Sequence, residues 1–181
     1  MPGHAKTIAL VVTLLASTLT GCPEVSVTPV NSGQQLCQEF FEACVNPILV
    51  SPITVDQTGQ QKTCAAPGCH HVDTGPGGAL KLDPLARPGS DAIQANFISA
   101  KSFANISDPP LSKLLLKPLA GSLSFVDSHA GGDIFADPND LNYQEILYWI
   151  SHPQDLAEAS CPQLDHFPED PTRRCLADDN L

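Results

Sequence analysis

Two thiols and an imidazole stand close together in the segment Cys64-Ala-Ala-Pro-Gly-Cys69-His70, which we call the attachment segment. Two cysteines followed directly by a histidine form the arrangement that attaches a haem covalently. Each thiol can add to one vinyl group of the macrocycle, and the adjacent imidazole reaches the iron from one face. The segment therefore predicts one covalently bound haem c, held by Cys64 and Cys69, with His70 as the proximal iron ligand.

The gap between the two cysteines is four residues, Ala65-Ala66-Pro67-Gly68, whereas the common haem-attachment motif has two. Pro67 and Gly68 can fold the extra residues into a tight turn, because proline fixes φ and glycine accepts a positive φ. Two other interpretations stay open: a disulfide between the two cysteines, and a zinc site that adds His70 and His71. A second ligand pair at zinc-finger spacing is missing from the sequence, and so is the βαβ pattern of a thioredoxin-like redox pair.

The first element that must position this segment is a helix. Apolar residues at a period near 3.6 predict it over residues 35–49, with Asn31 or Ser32 as its cap. Pro47 is expected to kink or end it. The following stretch, Val50 to about Pro88, is rich in glycine and proline and is predicted to be loop.

Three further helices are predicted after the loop. Ser90 caps a short helix over residues 90–99, a second covers residues 112–117, and the strongest covers residues 140–151. No strand pattern of any length is visible. The sequence therefore predicts a mainly α fold, a small helical domain with long loops around the haem.

The chain from about Gln35 to Ser151 resembles a class I cytochrome c, and more closely the cytochrome-like domains of bacterial surface lipoproteins. After the first helix and the attachment segment come a glycine-rich stretch with leucine (residues 75–82) and a Lys/Leu-rich stretch (residues 112–118) that leads into His129-Ala-Gly-Gly132. An aromatic-bearing helix, Tyr143 to Ile150, closes the domain. The resemblance implies that the first and last helices cross and that the haem lies between loops.

The family usually places a methionine, the second axial ligand, about sixty residues after the proximal histidine. Here Met1 is the one methionine of the chain, and His129 stands 59 positions after His70. We therefore predict His/His ligation with His129 as the distal ligand. Gly131 and Gly132 follow it and let the backbone come close to the ring.

Other interpretations of the sixth coordination position stay open. His129 could be a loop histidine bonded to the backbone, and His152 or His166 could ligate from beyond the last helix. Lys113 and Lys117 are outside candidates. Since methionine raises the potential relative to imidazole, His/His ligation predicts a low-potential, six-coordinate, low-spin carrier that does not bind O₂.

Four cysteines lie outside the attachment segment and the amino-terminal signal: Cys37, Cys44, Cys161 and Cys175. On one helix the α-carbons of Cys37 and Cys44 would lie about 10.5 Å apart, too far for a mutual disulfide. We predict that they pair with Cys161 and Cys175 and strap the tail across the first helix. The alternative is a local Cys161–Cys175 loop that leaves the helical pair free.

Residues 1–21 are predicted to be a lipoprotein signal peptide, because a short polar start precedes the uncharged apolar run Ile8–Leu19. This run is far below the ~20 residues of a spanning helix. Leu19-Thr-Gly-Cys22 resembles the lipobox of bacterial lipoproteins, which implies cleavage before Cys22 and lipidation of that residue. An ordinary secretory signal with a chance cysteine is the alternative. Pro23, in place of aspartate, gives no reason for retention at the inner membrane.

The 181 residues carry 9 Lys+Arg against 20 Asp+Glu, a net charge of −11, which disfavours nucleic acid as a partner. We predict four segments: a signal peptide (1–21), a tether (22–34), a cytochrome c-like domain (35–152) and an acidic, disulfide-bonded tail (153–181).

Together these features predict a single-electron carrier rather than an enzyme: a lipid-anchored, mono-haem c-type cytochrome of the bacterial envelope. The expected location is the outer membrane, at its periplasmic face or the cell surface. Its partners would be redox proteins of the envelope, with the membrane contacted through the lipid anchor and no oligomeric state predicted. The alternative is a haem-free, disulfide-stapled lipoprotein that acts as an interaction module.

Overall fold

The structure, a computed structural model, describes residues 34–55, 59–76, 78–121, 129–155 and 161. Its elements in chain order are β1 (Gln34–Gln35), α1 (Gln38–Phe40), a π-helical turn (Phe41–Val45), α2 (Asn46–Val50), β2 (Ile53–Val55), β3 (Gln60–Lys62), α3 (Asp91–Lys101), a 3-10 turn (Pro109–Leu111), α4 (Lys113–Leu116), α5 (Leu141–Ser151) and β4 (Gln154–Asp155).

The first helix is the continuous run of α1, the π-helical turn and α2, residues 38–50. It begins later than predicted, because residues 34 and 35 pair with β4 instead. Cys37 is its N-cap, with the sulfur accepting a hydrogen bond from Phe40 N at 3.2 Å. Pro47 does not end the helix. It lies in the first turn of α2, directly after the π-helical turn, where its missing N–H is tolerated.

The prediction of a mainly α fold is wrong. Among the described residues, 38% are helical and 11% lie in strands. The strands form two antiparallel pairs, β1 with β4 and β2 with β3, and the β2–β3 hairpin lies inside the stretch predicted to be loop. Each strand is two or three residues long, and β1 and β3 are entirely polar. Backbone pairing rather than apolar alternation defines them, so periodicity gave no signal.

The later helices agree with the sequence prediction. Ser90 caps α3 and accepts a hydrogen bond from Ile93 N at 3.2 Å. Asp140 caps α5 through its Oδ1, which accepts from Asn142 N and Tyr143 N. Both caps satisfy backbone donors that a helix leaves without partners in its first turn.

The first helix packs against α5 in the core. Trp149 of α5 is fully buried, and its Nε1 donates to Cys37 O at 2.9 Å. The Phe41 ring lies 5.3 Å from the Trp149 ring, and Phe97 of α3 joins the cluster at 6.2 Å from Trp149. This contact between first and last helices is the one that the family resemblance implies.

A second connection, which we call the terminal strap, consists of the β1–β4 pair and a disulfide. Gln34 pairs with Asp155 and Gln35 with Gln154, and Cys37 is bonded to Cys161 with their α-carbons 5.5 Å apart. This bond joins tail to first helix, as in the strapped arrangement, and is incompatible with a local Cys161–Cys175 loop.

Cys44 is also disulfide-bonded, and Cys175, the other tail cysteine predicted to pair with the first helix, lies outside the described residues. The signal peptide, the lipidation residue Cys22 and most of the tether and tail lie outside them too. None of the described helices is long and apolar enough to cross a bilayer.

Candidate haem-binding site

The attachment segment contains the tight turn that the sequence predicts. Cys69 N donates to Ala66 O at 3.0 Å, which closes a four-residue turn with Pro67 second and Gly68 third. Gly68 has φ +83°, a conformation that a residue with a side chain rarely adopts. The two extra residues between the cysteines are therefore absorbed locally.

Backbone hydrogen bonds fix the segment to the end of the first helix. Ala65 N donates to Leu49 O at 3.1 Å, so the segment starts where the helix ends. His70 N donates to Cys64 O at 3.0 Å, which draws the proximal histidine back toward the first cysteine.

Gly75 packs closely against the backbone at the end of the attachment segment. A Cβ on this glycine would lie 2.5 Å from Cys69 O and 2.5 Å from His71 N, closer than real Cβ atoms come to backbone. Lys81 Nζ donates to Gly75 O on the same loop. In the sequence, Gly75 is only one residue of a glycine-rich stretch, because nothing local distinguishes a glycine needed for close packing from one needed for a turn.

Both cysteines of the segment are free thiols, so the structure does not contain the Cys64–Cys69 disulfide. Cys64 packs against the hydrophobic core. Burial raises the pKa of its thiol from 9.0 to about 11, and the nearby Cys69 adds to the increase.

Geometry gives the zinc interpretation no support among the described residues. The Nδ1 of His71 accepts hydrogen bonds from Asp73 N at 3.1 Å and Thr74 N at 3.4 Å, so this nitrogen is used within its own turn. Among the described residues, the one group at metal-ligand distances is Cys37, Glu39 and Cys161. Its two sulfurs form the disulfide of the terminal strap, which leaves no thiolate to bind an ion.

His70 and His129 face each other. Their ring centroids lie 6.0 Å apart, and the ring planes are 11° from parallel. The Nδ1 of His70 is 3.1 Å from Leu80 O, and the Nδ1 of His129 is 2.8 Å from Gly132 O. Since a carbonyl can only accept, both Nδ1 atoms carry the proton, and in each neutral ring the lone pair is on Nε2.

The centroid distance and the nearly parallel ring planes match those of two axial ligands of one iron. With about 2 Å from each nitrogen to the metal and about 1 Å from nitrogen to ring centre, imidazoles on opposite sides of one ion have centres about 6 Å apart. A hydrogen bond from the other ring nitrogen to a backbone carbonyl is the usual support of a ligating histidine. Spacing and tautomer of His70 and His129 both suit the predicted group.

The His129 turn, residues 129–132, is built on glycine. Gly132 has φ +76°, and its N–H donates to His129 O at 2.8 Å. A Cβ on Gly131 would lie 3.0 Å from Cε1 of His129, so the backbone rests against the imidazole of this histidine itself. Lys62 Nζ donates to Gly131 O at 2.9 Å, a contact that the sequence analysis missed because an isolated lysine carries no motif.

The other candidate distal ligands differ in position. His152 is exposed, stacks on Tyr148 with centroids 4.0 Å apart, and directs its Nδ1 to Tyr148 O at 2.9 Å. His166 lies outside the described residues. Of the described histidines, His129 is the one stacked opposite His70.

Comparison with protein-family models, with curated proteins and with solved structures finds no match to this chain. The resemblance to cytochrome c therefore stays a prediction from the sequence.

Proposed function

We propose that this protein is a mono-haem c-type cytochrome that carries single electrons and is anchored by lipid in the bacterial envelope. One observation carries the proposal. The rings of His70 and His129, which are 59 residues apart in sequence, lie nearly parallel with their centroids 6.0 Å apart, and His70 directly follows the second of two free thiols.

Each residue has a separate task. Cys64 and Cys69 would hold haem c through thioether bonds, His70 would be the proximal ligand and His129 the distal one. The haem supplies a one-electron couple at its iron. The chain orients both imidazoles through the carbonyls of Leu80 and Gly132, which favour the tautomer with the proton on Nδ1, the form in which a histidine binds a metal through Nε2.

The ligand pair and the charge both favour a low potential. Imidazole ligation lowers the potential relative to methionine. The net charge of −11 makes it harder to add an electron, because negative charges repel it. With both axial positions held by histidine, O₂ has no place to bind, which suits a carrier rather than an oxygen-activating enzyme.

The lipid anchor and the redox partners are proposed on the basis of the sequence alone. Cys22 would carry the lipid, and the domain would exchange electrons with redox proteins at the outer membrane, on the periplasmic face or the cell surface. The support for this part is the signal peptide with its Leu-Thr-Gly-Cys ending.

The test is covalent haem content. The full chain, expressed in a host that matures c-type cytochromes, should stain for haem on a denaturing gel, show a Soret band and gain the mass of one haem. The matched control is the double variant Cys64→Ala/Cys69→Ala, which should lose the stain. The ferric protein should give the EPR and near-infrared spectra of a low-spin bis-imidazole haem.

A colourless wild-type protein with the mass of polypeptide plus lipid would contradict the proposal. That result would leave the haem-free, disulfide-stapled interaction module as the function to pursue.

A further inference from the structure

Lys62 connects the chain next to the attachment segment with the His129 turn. Its Nζ donates a hydrogen bond to Gly131 O at 2.9 Å, across 69 residues of sequence. The side chain is half-buried, and a Cβ on Gly132 would lie 3.0 Å from the same Nζ. The ammonium group therefore lies directly against the backbone of the His129 turn.

On one side, Lys62 belongs to the part of the chain that holds the proximal ligand. It is the last residue of β3, pairs with Ile53 of β2, and precedes Cys64 by two positions. The hydrogen bond from Ala65 N to Leu49 O then joins the chain to the first helix. Backbone hydrogen bonds thus hold the chain in place on both sides of Lys62.

On the other side, the orientation of the His129 ring depends on the position of its turn. His129 Nδ1 donates to Gly132 O at 2.8 Å, and Gly132 N donates back to His129 O at 2.8 Å. Because Gly131 also packs against the ring, the position of the turn sets the orientation of the imidazole. A contact that displaces or holds this turn displaces or holds the ring.

We propose that Lys62 is a positioning residue that fastens the His129 turn to the attachment segment and so keeps the sixth coordination position of the haem closed to small ligands. This role rests on the proposed function. A hydrogen bond from a charged donor is about twice as strong as a neutral one. Its loss would leave Gly131 O without this donor and the turn without its link to β3.

The test compares Lys62→Met, which keeps the length of the side chain but removes the donor, with Lys113→Met as the matched control. Lys113 is an exposed lysine of α4. In the haem-loaded full chain, we expect CO to bind reduced Lys62→Met about tenfold faster than wild type, the size of change expected from losing one charge-assisted hydrogen bond. Lys113→Met should bind CO at the wild-type rate.

A second measurement does not depend on ligand binding. Amide hydrogen exchange of the peptide covering residues 129–135 should accelerate in Lys62→Met and stay unchanged in Lys113→Met. Lys62→Arg, which keeps a charged donor, should restore slow CO binding and slow exchange. If Lys62→Met does not fold, Lys62→Thr replaces it, because threonine suits a strand and is too short to reach Gly131 O.

The measurements distinguish a failure of the proposed function from a failure of the proposed role of Lys62. A wild-type protein without covalent haem overturns the proposed function and this role together. A haem-loaded, low-spin wild type whose Lys62 variants match it in CO binding and exchange overturns the role of Lys62 alone. Faster CO binding in Lys62→Met with rescue by Lys62→Arg supports it.

Discussion

His70 and His129 stack with their ring centroids 6.0 Å apart, and each ring is oriented by a backbone carbonyl of its own loop. Leu80 O fixes one ring and Gly132 O fixes the other. Neither carbonyl belongs to the loop of the opposite histidine, so the two imidazoles are oriented independently and brought together by the packing of their loops.

Replacement of the distal histidine should open the sixth position. In His129→Ala we expect the reduced haem to bind CO readily, and the ferric EPR spectrum to change from low spin to high spin. The haem should remain attached, because Cys64 and Cys69 are unchanged. His152→Ala is the control, since His152 is exposed and stacks on Tyr148 rather than His70. A low-spin His129→Ala protein that excludes CO would show that another residue is the distal ligand.

Gly75→Ala should disrupt the attachment segment. The new Cβ would approach Cys69 O and His71 N to 2.5 Å, and backbone atoms on both sides cannot both retreat. We expect a loss of about 2–4 kcal/mol in the free energy of unfolding, in the range of overpacking and strain, together with a lower yield of haem-loaded protein. Denaturant unfolding measures the free energy of unfolding, and the ratio of haem to protein measures the yield of haem-loaded protein.

Gly59→Ala serves as the control for Gly75→Ala. Gly59 has φ +64° but open space around its Cβ position, so it should lose only the roughly 1 kcal/mol of a left-handed residue. Equal losses in the two variants would mean that contact with the backbone of Cys69 and His71 does not account for a cost at Gly75 beyond that of an ordinary turn glycine.

The Cys37–Cys161 disulfide should stabilise the domain without serving the site. The bond spans 124 residues of sequence, and a loop of that size predicts a loss of about 2–5 kcal/mol in the free energy of unfolding in Cys161→Ser. The Soret band and the EPR spectrum of the folded protein should not change. Denaturant unfolding of wild type and Cys161→Ser checks this, and an unchanged midpoint would contradict it.

The Cys64 thiol gives the haem-free chain a distinct pH dependence. The folded chain keeps this proton up to about pH 11, whereas the unfolded chain loses it near 9.0. Between these values the unfolded state binds fewer protons, so the free energy of unfolding falls as pH rises. The difference in stability between wild type and Cys64→Ala should therefore decline from pH 9 to 11 in the haem-free protein.

In the haem-loaded protein this pH dependence should be absent, because a thioether has no proton to lose. Unfolding curves at several pH values, measured on both forms, make the comparison. A stability difference that stays constant between pH 9 and 11 in the haem-free protein would show that the thiol is not buried as described.

Local chemistry accounts for what the sequence predicts well. The Pro67–Gly68 turn, the Ser90 cap and the Asp140 cap each depend on residues within a few positions, and all three appear in the structure. Contacts between residues that are far apart in the sequence could not be predicted in this way. Polar strands such as β1 and β3 carry no apolar alternation, and this is why the mainly α prediction was wrong.

The contributions of Lys62 and Gly75 were missed for a related reason. Lys62 acts on Gly131 across 69 residues, and Gly75 is required by the backbone that folds over it. Both roles come from tertiary contact, which neither residue type nor spacing indicates. The pairing of His70 with His129 could be predicted only through the resemblance to a family, which supplied the expected distance along the chain.

The terminal strap has a mechanical consequence. Because β1 pairs with β4 and Cys37 is bonded to Cys161, the two ends of the described domain are tied together at the start of the first helix. A pull on the chain before Gln34 would be resisted first by the backbone hydrogen bonds of the β1–β4 pair and then by the covalent bond at Cys37, the N-cap of the first helix. The attachment segment is joined to the other end of that helix, at Leu49. Tension at the amino-terminal side of the domain would therefore pass into the tail through the strap, at the end of the first helix opposite the attachment segment.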